Sequence, residues 1–439
     1  MNVTDQSYIT GRSGVEIAAS IERGIRDGHL PPGGRLPTVR DLAARLAVSP
    51  ATVAAVYRNL GGRGMVTAAG RRGTTVSSRP PVAFGWWAVF GPGVRDLASG
   101  NPDPALLPDL SRVLGDLEVN GSLYGEAPND PELLHLAAAQ LRADGITAEH
   151  LTVVGGAMDG LERVLQAHLH PGQRVAVEDP GYPGILDLLA ALGLVPRPVA
   201  VDDSGPQPES LLAALRSGVE AFVLTPRAHN PFGAALEGDR AAELRTVLAG
   251  HPATLVVEDD HAGAISGAAA HSLSAADRWA VIRSVSKSLG PDLRLAVVTG
   301  DATTIARLEG RRLFGAGWVS HVLQRLVVRL WTDPSTPQLL ETAACTYSRR
   351  RQTLLDALRE RGIAAHGRSG INVWIPVANE AGTVGALLEA GWGVLAGERF
   401  RIRSDRGIRV STGRLLCEDA RSFASDLAQA LSAVPARLA

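Results

Sequence analysis

The chain carries one lysine, Lys287, among 44 basic residues, and the other 43 are arginine. Arginine replaces lysine wherever a surface cation is needed, because both stay charged in water. Only lysine can shed its proton and attack a carbonyl carbon to form a Schiff base. The other explanation, a lysine left over from a drift toward arginine, is decided by the neighbours. These read Ser284-Val285-Ser286-Lys287-Ser288-Leu289-Gly290-Pro291-Asp292-Leu293-Arg294. Alternate strand positions share a face, so Ser284 and Ser286 can point together beside Lys287. Arg294 can return a guanidinium to the same spot, and two hydroxyls with a guanidinium suit a phosphate dianion. A Schiff-base lysine beside a phosphate site describes pyridoxal 5′-phosphate.

Such a site needs a scaffold, and the sequence from Leu151 onward supplies one. Short apolar runs predict strands at Leu151–Val154, Arg174–Val177, Ala221–Leu224, Thr254–Val257, Val281–Val285 and Arg294–Thr299. Helices are expected near 157–169, 183–192, 208–216 and 238–249. Continuous Val/Leu-rich strands separated by helices indicate an α/β fold with a mostly parallel, doubly covered sheet. Ligands bind such sheets at the strand carboxyl ends, and Lys287 falls at one. Gly155-Gly156-Ala157-Met158-Asp159 joins a strand to a helix, so the amides of Gly156, Ala157 and Met158 can receive phosphate. A tight turn uses the same glycines.

The order and spacing of these segments resemble the fold-type I aminotransferases. The resemblance implies that Lys287 holds the cofactor as an internal aldimine, with Ser284, Ser286 and Arg294 on the phosphate. Tyr182, in Glu178-Asp179-Pro180-Gly181-Tyr182-Pro183, would stack on the pyridine ring. Asn230, in Asn230-Pro231-Phe232-Gly233, would donate to the 3′-oxygen. Asp259, in Glu258-Asp259-Asp260-His261, would bind the pyridine nitrogen and keep it protonated; a helix cap or turn residue is the plain alternative. Arg409 would clamp an α-carboxylate as a bidentate pair. Arg227, just before the asparagine motif, is placed to take a second acid group of an effector. Tyr124, in Tyr124-Gly125-Glu126-Ala127-Pro128, would reach the phosphate of a second subunit, implying a homodimer with shared sites. Residues 335–439, with 97–120, are expected to form the small domain of this fold, with a strand at Ile371–Val377. The run Arg349-Arg350-Arg351 reads as a solvated helix face.

The amino-terminal segment has a different composition. Residues 1–79 carry a net charge of +6 and the remainder −7, within a total of −1, so a polyanion partner is expected for the head alone. Apolar residues at Val15, Ile17, Ala18, Ile21 and Ile25 have helical spacing up to Arg26. Thr38 can cap a second helix, Val39 to Ala47, and Ser49 a third with Pro50 at its first position. Met65–Thr67 and Thr74–Val76 flank a hairpin whose tip carries Arg71 and Arg72. This is a winged helix-turn-helix. Leu30-Pro31-Pro32-Gly33-Gly34-Arg35-Leu36-Pro37-Thr38-Val39-Arg40 and Val48-Ser49-Pro50-Ala51-Thr52-Val53 resemble the GntR regulators. The resemblance implies that Ser49, Ala51, Thr52 and Tyr57 face the major groove of double-stranded DNA. Arg35, Arg40, Arg71 and Arg72, with Thr38, would meet phosphates or the minor groove.

The head (1–78), a linker (79–96) holding Trp86 and Trp87, and the aminotransferase-like body (97–439) together resemble the MocR subfamily of GntR regulators. That layout implies a transcriptional regulator whose body senses pyridoxal phosphate, or its adduct with an amino compound, and shifts a dimer's grip on operator DNA. An aminotransferase with an appended DNA-binding head is the rival expectation, and a body used only for dimerisation is a third. Several residues depart from the pattern. His261 stands where the subfamily has a tyrosine, and imidazole changes charge near neutral pH, which argues against efficient transamination. Asn129 replaces a common glycine, His135 lies near a usual arginine, and Phe232 is expected to narrow the pocket.

Composition limits the setting. A chain of 439 residues exceeds one ordinary core. With 45% hydrophobic and 20% charged residues it reads as globular. No apolar run reaches the ~18 residues of a spanning helix. The start, Met1-Asn2-Val3-Thr4-Asp5-Gln6, has no secretory pattern. Cys345 and Cys417 have neither paired nor metal-ligating spacing, so a cytoplasmic location is expected.

Overall fold

The computed structural model describes residues 8–433 except 63, 69–72, 78–89, 116, 118–120 and 275. The wing-tip Arg71 and Arg72, and the linker tryptophans Trp86 and Trp87, lie outside the described residues. The chain forms two compact units that do not follow chain order. One holds the head with Leu169–Val175 and Pro183–Pro196, and the other the rest of the body.

In the head, α1 (Gly14–Arg26), α2 (Val39–Leu46) and α3 (Pro50–Gly62) precede β1 (Val66–Ala68) and β2 (Thr74–Val76). The Ser13 side chain accepts the Glu16 amide while Glu16 accepts the Arg12 amide, satisfying two donors at the start of α1. Ala47 takes a left-handed conformation (φ 54°) that stops α2. The Ser49 hydroxyl then accepts the Thr52 amide at 3.0 Å and opens α3. β1 and β2 pair antiparallel, and Leu36 N–H to Thr74 C=O (2.9 Å) adds a third rung to the wing. Ile17, Ile21, Leu42, Val53 and Leu60 are fully buried between the helices. Each contributes about 1.5–3 kcal/mol by leaving water.

The body begins with β3 (Arg95–Asp96), α4 (Leu110–Gly115) and α5 (Pro131–Ala143). It continues through β4 (Leu151–Val154), α6 (Ala157–His168), β5 (Arg174–Asp179), α7 (Pro183–Ala191), β6 (Val195–Asp202), β7 (Gly205–Pro206), α8 (Pro208–Arg216), β8 (Ala221–Leu224), α9 (Gly238–Ala249) and β9 (Leu255–Asp260). Next come β10 (Trp279–Ser284), β11 (Ala296–Gly300), α10 (Ala302–Arg312), α11 (His321–Thr332) and α12 (Thr336–Arg359). The chain closes with β12 (Asn372–Pro376), α13 (Glu380–Glu389), β13 (Trp392–Gly393), β14 (Leu395–Ala396), β15 (Gly407–Ser411) and α14 (Ala420–Ala433).

One sheet runs β4-β11-β10-β9-β8-β5-β6-β7. β8, β9 and β10 are parallel neighbours, whereas β11 is antiparallel to both β10 and β4. Strands β8 and β9 are buried along their whole length, as a sheet covered on both faces requires. The longest strand that the sequence pattern does not predict is β6; β15 is another. Pro196 and Pro198 of β6 lack ladder donors and mask it as a loop.

The small domain is a three-stranded sheet, β12-β15-β14, with β13 paired to β3 from the opposite end of the body. Leu97 is buried with Leu354, Val373, Ile375, Trp392 and Phe423. Of residues 97–120, the first few join this domain, whereas Val113 of α4 packs with Leu133, Val153 and Val285 of the large domain. The arginine run on α12 is not a solvated face. Arg350 pairs with Asp103 at 2.8 Å, and Arg351 is buried with its guanidinium on the Gly370 carbonyl. Only Arg349 is exposed, because the helix turns the other two toward the 97–103 and 366–372 segments.

Candidate cofactor and DNA sites

Lys287 follows the end of β10, beyond the last residue of the ladder. Its Nζ donates to the Gly100 carbonyl at 2.7 Å. Burial, reinforced by the charge of Arg409 and opposed by Asp259, lowers its pKa to about 8. An amine that loses its proton near neutrality is a competent nucleophile. Asp259 is the penultimate residue of β9 next door, with Ile282 of β10 as its cross-strand neighbour. Burial and the charges of Asp260 and Glu178 push its carboxyl up to about 7, against Lys287. One of its oxygens is buried with no hydrogen-bond partner. A protonated pyridine nitrogen would supply the missing donor and the missing positive charge. Asn230 likewise buries an unpartnered Oδ1.

His261 Nδ1 stands 3.9 Å from Asp259 Oδ2. Burial, with Lys287 adding, lowers the ring's pKa to about 4. The imidazole is therefore neutral at pH 7, so the expected change of charge near neutrality does not occur in this pocket. A neutral ring donates a single hydrogen bond, as the tyrosine it replaces would.

The residues expected at the phosphate come together in two pairs. Ser284 Oγ donates to Ser286 Oγ at 3.0 Å and accepts the Ser286 amide, so both hydroxyls share one face. Arg294, left-handed at φ 44°, turns back and its Nη2 donates to the Gly155 carbonyl at 3.3 Å. Gly156, at φ +100°, lies so close that a Cβ there would stand 3.1 Å from Arg294 Nη2. That turn opens α6 at Ala157 and Met158, whose amides have no intrahelical partner.

Arg409, on β15, is buried without a carboxylate partner among the described residues. Nη1 donates to Asn372 Oδ1 at 3.3 Å, Nη2 to the Ala98 carbonyl, and Nε has no acceptor. Its guanidinium lies 5.4 Å from the centre of the Phe400 ring. Burial lowers its pKa to about 10, with Tyr182 and Asp96 acting against. A desolvated cation with an unused donor fits an incoming anion.

Two side chains are not where sequence reasoning put them. Arg227 is already committed: Nε and Nη2 take both oxygens of Asp260 at 2.9 Å, and Nη2 reaches Asp144 at 2.9 Å. It is therefore not placed to receive an effector's acid group. Phe232 packs with Val201, Trp374 and Phe400 and stacks on His366 at 4.3 Å, so it belongs to the core beneath the site. Tyr124, expected to reach a second subunit, is 92% exposed, with the edge of Trp318 beside it in its own chain.

Sequence reasoning missed Asp179. Its carboxylate accepts the amides of Ile402, Arg403 and Ser404 and the Ser404 hydroxyl, all at 2.7–2.9 Å. This ties the turn bearing Tyr182 to the loop before β15. The signal was the Asp-Pro-Gly string itself, a turn with a free carboxylate.

In the head, Ser49, Ala51, Arg35 and Arg40 are exposed and Thr52 is half-buried. Ser49 Oγ and Thr52 Oγ1 lie 2.8 Å apart. The Thr38 hydroxyl caps α2 and donates to Asp41 at 2.7 Å. Tyr57 is a correction: it is 7% exposed and its hydroxyl donates to the Pro37 carbonyl at 2.8 Å. It faces the head's core because its place on α3 follows that of Val53. The exposed face of α3 carries instead Ala51, Ala55, Arg58 and Asn59, at helical spacing from Ala51.

Comparison with known proteins agrees with both halves. Residues 14–76 match the family of bacterial regulatory proteins, gntR family, and residues 93–419 match aminotransferase class I and II. The chain is 42% identical to the vitamin B6 salvage pathway transcriptional repressor PtsJ of Salmonella typhimurium, over 97% of this chain and all of that one. It is 28% identical to the HTH-type transcriptional regulator TauR of Rhodobacter capsulatus, over 91% of this chain and 89% of the relative. An archaeal alanine:glyoxylate aminotransferase shares the fold, with TM-score 0.71 and 21% identity over 77% of this chain and 91% of that one. With a GntR helix-turn-helix and a class I and II aminotransferase domain joined in one chain that matches named transcriptional regulators along nearly its whole length, the protein belongs to the MocR subfamily of GntR transcriptional regulators.

Proposed function

We propose that the protein is a dimeric regulator that grips operator DNA through its winged heads and responds to pyridoxal 5′-phosphate bound at Lys287. The observation that carries this reading is the pair of buried groups left incomplete around that lysine: Asp259, with an unpartnered Oδ1, and Arg409, with an unpartnered Nε. Each lacks the partner that one part of the cofactor, or of an amino compound bound to it, would provide.

Pyridoxal phosphate supplies an aldehyde that condenses with amines and a ring that withdraws electrons from them. The chain's own residues do the rest. Lys287 presents an amine whose lowered pKa eases loss of its proton, and Asp259 keeps a proton on the ring nitrogen. Asn230 and His261 hold the 3′-oxygen, Tyr182 covers the ring, and Ser284, Ser286, Arg294 and the start of α6 anchor the phosphate. Arg409 would receive the carboxylate of an amino acid. The 42% identical relative is named for vitamin B6 salvage, which supports the free cofactor itself as a signal in the cytoplasm. No helix among the described residues is long and apolar enough to cross a membrane.

Dimerisation is supported by surface chemistry. Leu123 (71% exposed), Tyr124 (92%), Leu313 (79%) and Phe314 (93%) are far more exposed than such side chains usually are. A second copy would cover them and bring Tyr124 toward its phosphate site.

The completeness of the site also supports the rival reading, a working aminotransferase. Purified protein given an amino donor and an oxo acid separates the two. Stoichiometric change without further product favours the sensor, and multiple turnovers favour the enzyme. Operator binding that is unaffected by pyridoxal phosphate and by amino compounds would refute the sensing role.

A further inference from the structure

The carboxyl ends of β8, β9 and β10 are joined by a buried quartet of charges outside the cofactor site. Asp260 receives the Arg227 fork described above, and Arg283 Nε adds a third bond at 2.9 Å. Arg283 Nη2 lies 2.8 Å from Asp260 and 2.7 Å from Asp144, the residue that ends α5. The side chains of Asp260, Arg227 and Arg283 are 2, 6 and 11% exposed, and that of Asp144 is 30%. Two guanidiniums and two carboxylates cancel, so the cluster carries no net charge.

Burying ion pairs of this kind is typically neutral or unfavourable against a well-packed apolar core. Stability alone is thus a poor explanation for the quartet. Its placement offers a better one. Asp260 directly follows Asp259, and successive strand residues point to opposite faces, so the quartet lies across the sheet from the cofactor. Arg283 directly precedes Ser284 and stands four residues before Lys287. Arg227 starts the short segment that leads to Asn230. Each strand end that presents a cofactor group is therefore pinned, one to four residues away, to the same salt-bridged knot.

We propose that Asp260, Arg227, Arg283 and Asp144 are positioning residues that fix the relative places of Asp259, Asn230 and Lys287. The proposal rests on the reading that pyridoxal phosphate binds at Lys287. The geometry of the fork matters, not its charge: a lysine at 227 keeps the charge but cannot hold both oxygens of Asp260.

The test titrates pyridoxal 5′-phosphate into full-length cofactor-free protein and records affinity, the absorbance of the bound cofactor, and melting without cofactor. Wild type, Arg227→Lys, Asp260→Asn, Asp144→Asn and a Lys287→Ala control are compared. Arg227→Lys and Asp260→Asn should weaken binding by about tenfold or more, as when the outer partner of a ligand group is lost, and shift the absorbance maximum. Asp144→Asn, at the half-exposed rim, should do the same more weakly. Wild-type affinity and spectrum in Arg227→Lys and Asp144→Asn overturn the proposal, whether or not Asp260→Asn folds. Losses that merely follow the melting temperature, with an unchanged spectrum, overturn it too. If wild type shows no absorbance band that depends on Lys287, the cofactor reading itself fails and takes the quartet's role with it.

Discussion

Lys287 and Arg409 converge on one backbone residue. The lysine Nζ donates to the Gly100 carbonyl, and a Cβ at Gly100 would stand 2.9 Å from Arg409 Nη1. Gly100 also has φ +65°, a conformation that costs an L side chain about 1–2 kcal/mol. Gly100→Ala should displace both cations from a site they share, slowing covalent attachment of pyridoxal phosphate and weakening any response to amino acids. Unchanged cofactor spectra and unchanged amino-acid titrations in this variant would contradict the shared contact.

Attachment should depend on pH in a defined direction. The attacking amine must be neutral, and with a pKa of about 8 its neutral fraction rises about tenfold from pH 7 to pH 9. Stopped-flow absorbance should show the rate climbing through that window and flattening above it. Unfolding returns the amine to its ordinary 10.5, so the unfolded chain binds more protons between about 8 and 10.5. The cofactor-free fold therefore gains stability as pH rises through that range. Lys287→Met, lacking the buried charge, should melt higher than wild type at pH 7 without cofactor.

Arg409→Met removes a buried cation that forms no ion pair with a carboxylate among the described residues. Cofactor attachment should survive, while a carboxylate-bearing amine should lose about a hundredfold in apparent affinity, as for a lost buried charge pair worth about 3 kcal/mol. Spectral titration with an amino acid and with its decarboxylated amine distinguishes the cases, since only the acid should be penalised.

In the head, Arg40→Ala and Arg58→Ala should weaken binding to every DNA sequence and each reduce the dependence on log salt concentration by about one. Tyr57→Phe should instead cost about 1 kcal/mol of stability, the worth of its hydrogen bond to Pro37, and leave sequence preference intact. Fluorescence anisotropy at several salt concentrations tests both.

The elements with a clean period were legible in the sequence. The capped helices of the head and the Val/Leu runs of β4, β8 and β11 end within about two residues of where their patterns place them. The Lys287 cluster was legible because chemistry narrows the choice of residues there. Partners that come from afar were not. Nothing local to Arg227 announces Asp260 and Asp144, and nothing near Asp179 announces Ser404, since both pairs exist only after the sheet has formed. Tyr57 misled because one helix position separates the groove face from the core face, and a tyrosine suits either.

The pairing of β3 with β13 has a consequence during synthesis. The head's last strand is complete at Val76, but Arg95 and Asp96 find their partners only when Trp392 and Gly393 have left the ribosome. Chains that stall between these points hold a finished reading head without the module that would answer a metabolite.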